Sequence, residues 1–178
     1  MYLNKRHYVK NWEHNTKKYS FLIKLDEEKV KEINEKRISY ITEDVMYWRK
    51  ANAIHNWFVQ NVQGGEDNCR EYYVAREDLE KLLDVCTKVV LASKLIKGKI
   101  KNGQTSKDGK LVDNMVDGEY IEDATVAREL LPSAEGFFFG SAEYDQYYLR
   151  DIVETKKFLE EELRDTNSRA DYHYNSSW

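Results

Sequence analysis

Residues 42–65, TEDVMYWRKANAIHNWFVQNVQGG, decide how the rest of the chain is read. Thr42 offers an N-cap, Glu43 and Asp44 suit the positive end of a helix dipole, and Gly64-Gly65 supplies a stop. The pattern predicts one long helix over 42–63. Laid out at about 100° per residue, Trp48, Val59, Val62, Ala51, Phe58, Tyr47 and Ile54 make a broad apolar arc. His55 falls inside that arc, and Asn52 sits at its edge beside Arg49 and Asn56. Lys50 and Trp57 point the other way. An inward imidazole must find hydrogen-bond partners, so His55 marks either a satisfied core or the back of a pocket.

Upstream, residues 2–9 and 19–25 read as strands, the second (YSFLIKL) apolar enough for an inner position. Asp26 caps a short charged helix, and RISYIT over 37–42 is a further short strand. Downstream, REYYV over 70–74 is a strand. Leu79, Leu82, Leu83, Cys86, Val89 and Val90 recur at helical spacing over 76–95. Asn102-Gly103 and Asp108-Gly109 are hairpin signals within a Gly-punctuated stretch, which makes 97–122 a protruding hairpin or mobile loop. DATVARELL over 123–131 is a short helix stopped by Pro132, the only proline. GFFFGS over 136–141 suggests a buried strand, with Ser141 capping a last helix over 142–165 that holds Asp145 on its apolar side. The polar tail over 166–178 reads as disordered.

These elements imply a single α+β domain over 1–165, a small and mostly antiparallel sheet packed against three longer helices at 42–63, 76–95 and 142–165. At 178 residues the chain can bury a core without covalent staples. A net charge of −4, with Lys and Arg dispersed, excludes a basic footprint for duplex nucleic acid. Thirteen Tyr are in excess; they suit a ligand-facing surface, a partner surface including self-association, or a core with outward hydroxyls. Cys69 and Cys86 have no metal or disulfide-scaffold spacing, and no apolar run approaches about 18 residues. With no leader recognisable, the expected setting is a reducing cytoplasm.

Two inward ionisable groups on separate helices, His55 and Asp145, are the sharpest candidate site. They meet, directly or through a ligand, or each is satisfied locally: Asp145 by helix-start amides, His55 by a carbonyl. If the chain is an enzyme, His55 is the base and Asp145 its orienting group. Arg49, Asn52 and Asn56 suit an anionic group plus an amide-like edge, or else a solvated helix face. Trp48, Tyr72, Tyr73, Phe137, Phe138, Phe139, Tyr144 and Tyr148 are aromatic side chains that can flank a planar base. No phosphate-binding loop, metal spacing or nucleophile motif is present, so neither a cofactor nor a metal is expected.

The segments YWRKANAIHNWFVQNVQ (47–63), CREYYV (69–74), ELLPSAEGFFFGSAEYDQYY (129–148) and MYLNKRHYV (1–9) resemble a group of small phage- and prophage-encoded proteins. Members of that group commonly begin Met-Gly-Leu-Asp-Met-Tyr-Leu; this chain opens at the Met-Tyr-Leu part. The resemblance implies an accessory protein of a mobile element that acts in a bacterial cytoplasm and counters host antiviral defence. Three routes are open. The protein binds a nucleotide-derived ligand through Trp48, Arg49, Asn52, His55, Asn56, Tyr144, Asp145 and Tyr148. Alternatively it binds a host defence protein, as anti-CRISPR inhibitors do. The third route is a small hydrolase or transferase built on His55 and Asp145.

Overall fold

The computed structural model describes residues 1–8, 38–107, 109–134, 142–166 and 170–177. The expected strand over 19–25, the charged helix after Asp26, the Phe-rich strand over 136–141 and its Ser141 cap lie outside those residues. The elements run β1 (Tyr2–Tyr8), β2 (Tyr40–Tyr47), α1 (Asn52–Asn61), β3 (Tyr72–Val74), α2 (Arg76–Ala92), β4 (Leu95–Lys107), β5 (Lys110–Ile121), α3 (Thr125–Leu130), α4 (Gln146–Glu162) and β6 (Asp171–Asn175). The architecture is mixed α and β, with a four-stranded antiparallel sheet in the order β2-β1-β6-β3 and a separate two-stranded arm, β4-β5.

The long helix expected over 42–63 does not exist as such. Its first third is strand β2, paired along its length with β1 from Tyr2↔Tyr47 to Tyr8↔Tyr40. The capping signal at Thr42, Glu43 and Asp44 loses to β-branched and aromatic neighbours, Ile41, Thr42, Val45, Tyr40 and Tyr47, which suit a pleated surface. Lys50 turns the chain with φ 60°, a left-handed conformation that non-glycine residues seldom adopt. Only then does α1 start, with Ala51 at its N-cap and no side-chain cap bond. Tyr47, placed in the apolar arc, is exposed, whereas Trp57, placed outside it, is buried.

The tail expected to be disordered contributes β6, which lies between β1 and β3 and pairs with both. Its alternation explains the placement. Tyr172 and Tyr174 face the core and are buried, while Asp171, His173 and Asn175 face outward. The three helices expected to cover the sheet are unequal: α1 has 10 residues, and α2 and α4 have 17 each.

The core fills the space between the sheet and the helices. Leu3, Val74, Tyr172 and Tyr174 come from the strands, and Phe58, Leu79, Leu82, Cys86, Ile152 and Leu159 from the helices. In α2 the buried Leu79, Leu82, Cys86 and Val89 lie three or four residues apart, one stripe along the helix. Arg76 at the start of α2 donates to the Leu163 and Asp165 carbonyls at 2.5 and 2.9 Å, capping the end of α4. Lys5 and the Tyr172 hydroxyl both reach the Glu162 carboxylate, fastening the sheet to the same helix end.

The β4-β5 arm is registered from Leu95↔Ile121 to Lys107↔Lys110, with one irregularity between Lys101 and Gln104. Asn102-Gly103 sits at that irregularity, not at the turn, and Gly103 has φ 80°. The arm reverses beyond the Lys107↔Lys110 pair, where Gly109 has φ 76°. Among the described residues no helix is long and apolar enough to cross a membrane.

Candidate functional site

His55 is buried in α1, as its phase in the sequence predicts. Its neutral ring donates from Nε2 to Asp67 Oδ1 at 3.0 Å and accepts at Nδ1 from the Tyr174 hydroxyl at 2.7 Å. Burial lowers the imidazole pKa, and the Asp67 carboxylate opposes that shift. The Tyr174 hydroxyl is pushed upward by the same burial and by Asp67. Its ring has no exposed surface and stacks on Phe58, so the phenol cannot meet a substrate. The chain Asp67–His55–Tyr174 ties α1, the loop after it and β6 together. It is a polar brace in the core.

Asp145 answers to a different neighbourhood. It is the N-cap of α4, with Oδ1 accepting from the Tyr147 and Tyr148 amides at 2.8 and 3.1 Å. Of the two arrangements that the sequence left open, Asp145 takes the local one, at its own helix-start amides. His55 is also satisfied away from Asp145, by Tyr174 and Asp67 rather than by a carbonyl.

The remaining expected site residues are dispersed. Trp48 is buried and donates from Nε1 to Thr155 Oγ1 at 2.8 Å. Arg49 is exposed in the turn before α1, Asn52 is buried at the helix start, and Asn56 donates to the Pro132 carbonyl at 3.2 Å. They do not form one stripe, because the turn at Lys50 separates Arg49 from the helix. Tyr148 is buried, with its hydroxyl donating to the Leu131 carbonyl at 2.8 Å.

Tyr144 and Asp145, in contrast, border a cleft of about 390 Å³ at the root of the β4-β5 arm. The segment before α4 runs beside β5: Tyr120 bridges Asp145, and the Ile121 amide donates to the Tyr144 carbonyl at 2.9 Å. Lys99 and Lys101 come from β4, Tyr120 from β5 and Arg128 from α3. The Arg128 guanidinium lies 5.1 Å from the centroid of the Tyr144 ring. Lys99 and Lys101 are held by Asp117 and Asp113, each at 2.8 Å. The second carboxylate oxygen of Asp145, Oδ2, is buried with no hydrogen-bond partner among the described residues.

Sequence reading missed Lys99, Lys101, Tyr120 and Arg128, because they converge only when the arm folds and α3 packs beside its root. The hairpin signals placed the arm, but no local pattern places its base against the start of α4. Among the described residues no group of three or more His, Cys, Asp and Glu side chains could hold a metal ion.

Fold and cleft define a class: a mixed α and β protein with an extended two-stranded arm and a mixed-charge cleft at its base. The chain matches no protein-family model, no curated protein and no solved structure.

Proposed function

We propose that the chain is a mobile-element accessory protein that captures a small nucleotide-derived anion in the cleft at the arm root. By holding that ligand it would blunt a host antiviral signal in the bacterial cytoplasm. The resemblance of the YWRKANAIHNWF and GFFFGSAEYDQYY segments to phage- and prophage-encoded proteins supports the provenance. The cleft supports the capture. The observation that carries the reading is Asp145, a residue of the cleft wall whose second carboxylate oxygen is buried without a partner among the described residues, beside Arg128 and Tyr120 in the same wall. Concave sites with a few convergent polar groups and aromatic walls are where small ligands bind.

Thermal-shift measurement against nucleoside mono-, di- and triphosphates and cyclic dinucleotides tests the reading. A ligand bound to the folded state raises the midpoint in a concentration-dependent way. The expected result is a saturating rise for at least one nucleotide that Arg128→Ala diminishes. A flat response to the whole panel would overturn it.

A second reading has its own observation. Leu111, Val112 and Met115 are exposed apolar side chains along β5, Leu111 and Val112 on opposite faces of the arm, and they suit an anti-CRISPR-like grip on a host defence protein. Leu111→Ser with Val112→Ser, at positions that do not line the cleft, would abolish activity under that reading and leave nucleotide capture intact. His55 bonds to Tyr174 and Asp67, and Asp145 to the Tyr147 and Tyr148 amides, bonds that give the hydrolase route no support.

A further inference from the structure

Asp145 divides its carboxylate between two tasks. Oδ1 is committed to the Tyr147 and Tyr148 amides, which fix the orientation of the group. Oδ2 is buried and unpartnered among the described residues, and the residue as a whole is only 2% exposed. A carboxylate oxygen offers acceptor sites only, so what it lacks is a donor. Leaving a charged acceptor desolvated is costly, and a ligand N–H would offset that cost.

The cationic side of the cleft is equally restricted. Lys99 and Lys101 already face Asp117 and Asp113. Arg128 lies over Tyr144 in no ion pair among the described residues, although its charge also acts on Asp123, so it is the cation placed to meet one anionic group. A polyphosphate would bring several charges to that single guanidinium. The flat surface is Tyr120, whose half-open ring crosses Gly98 so closely that a Cβ there would lie 2.5 Å from Cε1. A cleft of about 390 Å³ is near the lower bound for small-molecule sites and suits one nucleotide unit.

We propose that the cleft selects a guanine nucleoside monophosphate, or the equivalent unit of a larger guanine nucleotide. This rests on the capture reading and names its ligand. Guanine presents two adjacent N–H groups, N1–H and the 2-amino group, with no lone pair between them. Both can point at Asp145 Oδ2. Adenine and cytosine place a ring-nitrogen lone pair beside their amino group, and that lone pair would face the carboxylate charge. Uracil flanks its single N–H with two carbonyl oxygens. The phosphate lies toward Arg128 and the base against Tyr120. Because Oδ2 is buried, capture requires a side-chain shift at the cleft wall that opens it to a donor, and such rotamer changes are common on binding.

Calorimetric titration of the full chain with guanosine, adenosine, inosine and xanthosine monophosphates tests the assignment. Wild type should hold the guanosine compound at least about tenfold tighter than the adenosine or xanthosine one, as expected for a charge-assisted pair lost or reversed. Asp145→Asn keeps an oxygen for the helix cap and replaces Oδ2 with an N–H donor. It should weaken guanosine monophosphate and favour the xanthosine compound, whose O2 accepts. Arg128→Ala, at an exposed position, should remove the preference for guanosine monophosphate over guanosine. Equal affinity for all four monophosphates overturns the guanine assignment and leaves capture standing. No binding of any of them, with only a cyclic dinucleotide that lacks guanine bound in the thermal-shift panel, also overturns the assignment alone, whereas a guanine cyclic dinucleotide bound there supports it. Silence in both overturns capture as well.

Discussion

The ring of Tyr174 lies face to face with that of Phe58, 4.0 Å between centroids and 7° between planes, while its hydroxyl donates to His55 Nδ1. One residue near the C-terminus thus joins the sheet to α1 by both packing and polarity. Removing the hydroxyl takes a hydrogen bond away from a buried imidazole nitrogen, so Tyr174→Phe should cost about 1–3 kcal/mol. Tyr174→Ala also empties the stack and should cost about 3–5 kcal/mol. Urea unfolding reads both, and a midpoint unchanged in Tyr174→Phe would show that the hydroxyl is not part of the brace.

His55 should make the protein acid-sensitive in a defined direction. Burial lowers its pKa in the folded state, so the native ring stays neutral where the unfolded ring, with an ordinary value of 6.5, takes up a proton. Its contribution is therefore complete above about pH 6.5 and is lost as pH falls from there toward the lowered folded value. His173, lowered by burial and by Arg6, acts in the same direction. Thermal midpoints between pH 7 and 5.5 should fall, and His55→Gln should flatten that slope. An equal slope in the variant would assign the effect elsewhere.

The two cysteines should react unequally. Cys86 has no exposed surface in α2, and burial pushes its thiol up to about 12. Cys69 is exposed and free. A thiol reagent should label one equivalent in the native protein and two after denaturation; two fast equivalents in the native state would contradict the packing of α2.

Gly118 is needed for close approach, not for a turn. A Cβ there would sit 2.4 Å from Ile100 Cδ1 and 2.6 Å from its Cγ1, and Ile100 is buried. Gly118→Ala should lower stability by about 1–3 kcal/mol through overpacking. Gly98→Ala would instead displace the half-open Tyr120 ring, so ligand affinity should fall further than the melting midpoint. Equal midpoints for Gly118→Ala and wild type would mean that the arm root is looser than described.

The sequence revealed elements whose signals are local. The stripe of Leu79, Leu82, Cys86 and Val89 gave α2, the Asp-Gly hairpin signal at 108–109 gave the arm, and the phase of His55 gave its burial. It misled where tertiary pairing overrode a local signal. Thr42, Glu43 and Asp44 look like a helix start, yet β1 offers that stretch a partner strand along its whole length. No Gly, Pro or Asn announces the turn that Lys50 makes with φ 60°. Tyr172 and Tyr174 alternate with polar residues as a strand should, and that pattern was legible, but a short polar tail does not advertise that it fills the space between β1 and β3. Of the candidate site, Tyr144 and Asp145 were found because aromatic and carboxylate side chains stand out near a helix start. Arg128, Tyr120 and the two lysines depend on contacts between separate elements.

The central claim is that a nucleotide occupies the cleft at the arm root, and amide chemical-shift mapping of the full chain with guanosine monophosphate tests it most directly. Saturating shifts should cluster at Lys99, Tyr120, Arg128 and Asp145, with His55, Arg49 and the arm tip near Leu111 unchanged. Shifts confined to the arm tip or to the α1 side, or none with either guanosine monophosphate or a cyclic dinucleotide at millimolar concentration, would contradict the account.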